Sequence, residues 1–324
     1  MGTWQFIPDA EVSRALHDAV LKRLVDSVDE IQRGLCANGF PAGDAGLTER
    51  LGRGASACVF ASYFELLPFV MADDGAAASS ALQALADFCK MPPPPFLSAW
   101  GDLGPGERAL LLRRLSTDPT TAITLVPPSD ADAQKAKESI AAALEIFDAA
   151  APEISAEIRS LIREIILVAG TVNNGLRFDG ATCFATWGAL FLNAEEHGTT
   201  MDAVDGLSHE CAHAYLFGQG FGEPFVTNPA SERYRSPLRE DARHLDGIFH
   251  ATFVSARMHY AHTKVLASAL LSPEDRVAAE QRQAAGAAAF ADGRATLRRH
   301  ATMTDMGEAL LRSAEIYMDR HRPA

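Results

Sequence analysis

No two cysteines stand at C-x-x-C spacing, and the five present (Cys36, Cys58, Cys89, Cys183 and Cys211) are odd in number. That excludes the common paired-cysteine zinc and redox motifs and argues against a disulfide framework, so reduced thiols in a cytoplasmic protein are expected. Positive charge is also scarce. Lys and Arg total 29 against 42 Asp and Glu, a net charge of −13. A broad phosphate-binding surface is therefore not expected, nor is nucleic acid as a partner, although a local basic groove stays compatible. Long hydrophobic runs are missing too. The apolar stretch 58–71 is broken by Glu65 and Pro68 and is too short to span a bilayer. The first residues, MGTWQFIPDAEVSRAL, lack a basic segment followed by an apolar one, so neither a secretory signal nor a membrane anchor is expected. What remains is ordinary: 48% hydrophobic and 22% charged residues in a chain of 324, enough for a large core in one or two domains.

The pattern along the chain is mainly helical. Val12, Leu16, Ala19, Val20, Leu24, Val28 and Ile31 recur at three- and four-residue spacing, which predicts an amphipathic helix. Further helices are predicted over 55–71, 77–90 and 107–115, with a proline-rich connector at 91–96. The β-branched run 120–126 predicts a strand, followed by helices over 130–149 and 153–168. Two short strands, 181–185 and 188–193, precede a helix over 204–217. A loop rich in glycine and proline covers 218–237, and helices over 244–270, 274–300 and 305–320 close the chain. The fold class expected is mainly α (α+β). Residues 1–118 form a helical scaffold, and residues 119–324 form a catalytic part with a small mixed sheet beside a zincin-like helix. That last arrangement rests on analogy in element order.

His209-Glu210-Cys211-Ala212-His213 reads H-E-x-x-H inside the helix expected over 204–217. On a helix, residues i and i+4 share a face one turn apart, so His209 and His213 can aim two imidazoles at one metal ion. Glu210 is rotated by about 100° and flanks that ion. In zinc peptidases a glutamate so placed is the base that activates water.

A catalytic metal usually takes three protein ligands. The H-x-x-G-x-x-H extension is absent, because Gln219 stands six residues after His213. The next donors lie on the helix over 244–270, where Asp246, His250 and Arg257 fall within about 40° of one stripe. His259 and His262 face elsewhere and, with His244, are expected at the surface or in packing. His250 is the expected third ligand. Asp246 is read as an acceptor orienting an imidazole, as a ligand, or as a helix N-terminal charge. Cys211 is expected to fill core.

The segments GLSHECAHAYLF and SPLREDARHLDGIFHATFVSARM resemble the H-E-x-x-H-containing peptide-modification proteins that accompany ribosomally made, post-translationally modified peptides. The resemblance covers roughly residues 142–258 and is strongest at HECAH and DGIFHATFV. It implies a non-haem Fe(II), 2-oxoglutarate-dependent oxygenase that uses O₂ to β-hydroxylate a residue of a precursor peptide. It further implies iron on His209, His213 and His250, and it maps an arginine-rich run onto Arg239 and Arg243.

The chemistry asks for the same parts. Fe(II) needs ligands on one face and open positions for the 2-oxo acid and O₂. The distal carboxylate needs a cation, and arginine's planar fork matches it in a bidentate way. Arg257 is two turns beyond His250 on its stripe, and Arg239 and Arg243 precede that helix; a structural ion pair is the equal alternative for Arg257. In the oxygenase Glu210 positions water or cosubstrate. The strand 188–193 offers an edge to an extended peptide. The other reading is a zinc metallopeptidase with Glu210 as general base and His250 or Asp246 completing the site.

Overall fold

The structure is a computed structural model, and it describes residues 4–44, 46–116, 123–172, 176–236 and 242–321. Eleven α-helices and six short strands are found among them. The helices are α1 (Ala10–Ala37), α2 (Leu47–Gly52), α3 (Ala57–Met71), α4 (Gly75–Phe88), α5 (Pro105–Leu115), α6 (Asp130–Ala150), α7 (Pro152–Leu161), α8 (Thr200–Gly220), α9 (Leu245–Val265), α10 (Pro273–His300) and α11 (Asp305–Arg320). The strands are β1 (Leu97–Ala99), β2 (Ile123–Val126), β3 (Glu164–Val172), β4 (Leu176–Arg177), β5 (Gly180–Ala181) and β6 (Ala189–Asn193). The protein is thus mainly α with a small mixed sheet. Among the described residues no helix is long and apolar enough to cross a membrane.

The chain forms two compact units, and neither follows the expected boundary after residue 118. One unit comprises Met1–Arg14, Gln134–Ser160 and His197–Ala324; the other comprises Ala15–Ala133 and Leu161–Glu196. The sheet belongs to the second unit and α8 to the first. The zincin-like arrangement is therefore carried by element order alone.

In the second unit β3 is the central strand. It pairs in parallel with β1 and β6, while β2 and β4 run antiparallel to its far end and β5 is antiparallel to β6. The helix expected over 153–168 splits here. Residues up to Leu161 stay helical, but the run from Glu164 onward is strand. Six consecutive buried residues open β3, and a segment buried on both faces favours β-branched side chains such as Ile165, Ile166 and Val168. Gly170 is needed where β2 crosses, because a Cβ there would collide with the Thr124 carbonyl oxygen. Trp100, Leu111, Ile166, Val168 and Phe191 pack into one core cluster. Residues 120–122 of the expected strand lie outside the described residues. β1, which follows the proline connector, has too few residues to show a period.

The expected pair of strands at 181–185 and 188–193 is partly found. Residues Phe184–Thr186 form a 3-10 turn instead, and β6 is not an open edge. It lies between β3 and β5 with all five residues buried, so it cannot recruit a peptide as expected.

In the first unit α9 lies against α8, α10 and α11. α10 approaches α9 closely at Gly286, where a Cβ would stand 3.1 Å from the Ser255 carbonyl oxygen.

Candidate metal centre

Thr199 starts α8 with a capping box. Its hydroxyl accepts from Asp202 N at 3.2 Å, and the Asp202 carboxylate accepts from Thr199 N at 3.0 Å. Such a cap is worth about 1 kcal/mol. The helix ends where Phe221 turns left-handed (φ 48°), followed by Gly222 (φ 87°). Between these ends α8 is almost wholly buried. Its partly exposed positions include Asp205, His209, His213 and Phe217, four residues apart and therefore on one stripe. The motif histidines thus sit on the face of α8 that reaches solvent.

Three imidazoles meet there. His213 Nε2 lies 3.2 Å from His209 Nε2, and His213 Nδ1 lies 3.2 Å from His250 Nδ1. Two nitrogens bound to one ion at about 2.0–2.1 Å are separated by about 3 Å, so His209 and His213 fit as a ligand pair. As the rings stand, His213 offers a different nitrogen to each neighbour. Among the described residues no three His, Cys, Asp or Glu side chains converge on one metal position. His250 joins the other two as a ligand only if its ring, or that of His213, turns. Burial holds His250 below its usual pKa, with Asp246 pulling up and His244 pulling down, which favours the neutral ring that a metal ion takes as a ligand.

Aromatic rings wall the cluster. Phe217 and Phe225 stand 5.3 and 5.5 Å from His250, and Phe225 stacks on Phe249 at 4.7 Å. Phe225 is on the loop after α8, and that loop is tied down. Phe225 N donates to Asp246 Oδ1 at 3.0 Å, its carbonyl accepts from Thr304 N at 3.0 Å, and Thr227 N donates to the Thr302 carbonyl at 2.8 Å. Asp246 therefore fixes the loop with one oxygen, while the other lies 4.0 Å from His250 Nε2. Glu210 is buried, its carboxylate 4.0 Å from His209 Nε2.

Of the two roles expected for Arg257, the structure shows the structural ion pair. Arg257 is 4% exposed, and its Nη1 donates to Glu157 Oε1 at 2.6 Å. Its guanidinium lies 4.8–5.4 Å from the ring centres of Phe6, Tyr215 and Phe253. Its stripe does align with His250, but two turns along the helix carry it into the core. Burial raises Glu157 above the usual carboxylate range against the pull of Arg257. Cys211 fills core as expected. Its thiol contacts Glu157, and burial keeps it protonated. Arg243 is among the described residues. It lies just before α9, its backbone bridged to Tyr234 by N–H···O bonds of 2.7 and 2.8 Å. Arg239 lies outside the described residues.

The other histidines have structural partners. His244 caps α9 by accepting from Gly247 N at 3.2 Å; His259 meets the Tyr317 hydroxyl at 3.1 Å; His262 meets Asp205 at 2.6 Å. Sequence reasoning missed Asp205, which is one turn before His209 and bridges His262 to Arg282. Its i−4 spacing from His209 was the available signal. No protein-family model matches this chain, and no curated protein matches it.

Proposed function

We propose that this chain is an Fe(II)- and 2-oxoglutarate-dependent oxygenase that β-hydroxylates a residue of a ribosomally made precursor peptide in the cytoplasm. The carrying observation is the pairing of His209 and His213 on the solvent-reaching stripe of α8, with His250 in contact with His213. His209, His213 and, after a ring turn, His250 would hold the iron. Iron so bound supplies O₂ activation at the expense of 2-oxoglutarate oxidation, which releases CO₂ and succinate. Arg239 or Arg243 is the cation for the distal carboxylate of the cosubstrate. Phe217 and Phe225 keep water from the His250 side. Asp246 positions His250 and the Phe225 loop together. Glu210 orients water or cosubstrate next to His209. The peptide is received at a surface other than β6.

Zinc peptidase chemistry is the second reading, favoured by the placement of Glu210. A buried carboxylate beside a ligand histidine suits a general base. Anaerobic reconstitution of the purified chain separates the two. Succinate formed from 2-oxoglutarate on admitting O₂, dependent on Fe(II), supports the oxygenase. Zinc-dependent peptide cleavage with no succinate formation would replace it with the peptidase.

A further inference from the structure

A groove of about 480 Å³ opens in the second unit, remote in sequence from the histidine motif. One wall is a stripe of α1, Ser27, Glu30, Ile31, Gly34 and Leu35, continued by Asn38 just past its end. These residues recur at three- and four-residue spacing over roughly 16 Å, a length that suits a chain segment. The other wall is the end of α3 and the start of α4, where Leu67, Phe69 and Val70 supply apolar surface. Asp73, left-handed at φ 54°, turns the chain between them. Phe40 closes one end, its ring pressed on Gly75.

Three features point to an occupant. Phe40, Phe69 and Val70 are exposed, and the neighbouring Met71 is 86% exposed. The charges lining the groove are all negative, from Glu30, Asp73 and Asp74, with no lysine, arginine or histidine among its described lining residues. Glu30 and Asp73 make no ion pair among the described residues. Finally, Gly34 lies in the last turn of α1, on the face toward the groove. Nothing stands within 4 Å of the position its Cβ would take, so the chain's own packing does not require it. The missing side chain leaves space in the groove.

We propose that this groove docks an amphipathic peptide segment, helical when bound, that lays apolar side chains between α1 and α3 and presents Lys or Arg to Glu30 and Asp73. The apolar walls give the burial and the acidic rim selects the sign of the partner. This proposal needs neither metal nor cosubstrate and stands apart from the reaction at the histidines.

The test uses the full chain and a fluorescein-labelled 15-residue peptide with leucine on one helical face and lysine on the other. Fluorescence anisotropy should show saturable binding, at least tenfold weaker for the matched leucine–glutamate peptide. Gly34→Leu should fill the groove and weaken binding at least tenfold while leaving thermal stability unchanged or raised. Should that variant misfold, the Phe69→Ser variant reads the apolar wall and the Glu30→Lys/Asp73→Lys variant reads the rim, each with the same expected loss. Equal binding by wild type and correctly folded groove variants would reduce the effect to attraction by the net charge of −13 and overturn the proposal. So would a concentration-dependent dimer in sedimentation velocity that Gly34→Leu abolishes, since the groove would then belong to a second copy.

Discussion

Arg257 donates to Glu157 at 2.6 Å with both side chains under 5% exposed, joining α9 to α7 across 100 residues of sequence. Removing one partner of such a pair leaves a buried, uncompensated group. Arg257→Met should therefore lose about 3–5 kcal/mol of unfolding free energy in urea denaturation. Adding Glu157→Gln should recover part of that loss, because the orphaned carboxylate is then gone. A single variant as stable as wild type would show that the pair does not stabilise the fold.

Metal binding should depend on the three histidines before folding does, because they sit on the accessible stripe of α8 and beside it on α9. His209→Ala and His213→Ala should keep the helical circular-dichroism signal. Each should lower Fe(II) or Zn(II) affinity, read by equilibrium dialysis, by more than the roughly 10–100-fold typical of outer-sphere changes. His250→Ala should behave the same way, and Asp246→Ala more mildly. The reverse order for the last two would make Asp246 the third ligand, in a two-histidine, one-carboxylate site.

Glu210→Gln distinguishes the two chemistries. Loss of a general base costs about 10²–10⁴-fold in rate, which is the outcome expected of a peptidase. For the proposed oxygenase, succinate formation should fall less, with part of the effect appearing as weaker cosubstrate binding.

Arg243→Met should raise the KM for 2-oxoglutarate while iron still binds, and Arg243→Lys should not restore it, because an ammonium lacks the planar fork. An unchanged KM would move the assignment to Arg239.

Glu164 titrates in an unusual range. Burial pushes its carboxyl up to about 6, although Ala57 N donates to it at 2.9 Å. The folded state thus favours the protonated form. The associated stability is full below about pH 4.5 and is lost as pH rises through about 6, amounting to about 2 kcal/mol by pH 8. Glu164→Gln keeps an acceptor for Ala57. It should raise the unfolding free energy at pH 8 and change it little near pH 4.5; equal effects at both would sink the assignment.

Much of this fold was legible in the sequence because most helices declare themselves by period and by caps. The motif helix, α10 and α11 fall within a few residues of expectation. The failures share a cause. The run from Glu164 is uniformly apolar, so it has no period, and only tertiary pairing decides between helix and strand. Arg257 was placed correctly on its stripe, but helical arithmetic gives direction and not the neighbour that covers it. A clue lay in α7, where Ile154, Glu157, Ile158 and Leu161 form one buried stripe. An acid inside an apolar stripe calls for a buried cation. Ring orientation at His213 and His250 is likewise beyond any sequence pattern, since it is set by contacts across 37 residues.

The loop that carries Phe225 is moored to Thr302 and Thr304, at the junction of the last two helices. Gly307, on α11, leaves no room for a Cβ against the Phe225 carbonyl oxygen. The last twenty or so residues, which hold none of the motif, therefore maintain the wall beside His250. A chain shortened before Thr302 would keep every proposed ligand and lose the fixed ring that shields one of them. Damage at the tail would thus read out as a defect at the histidines.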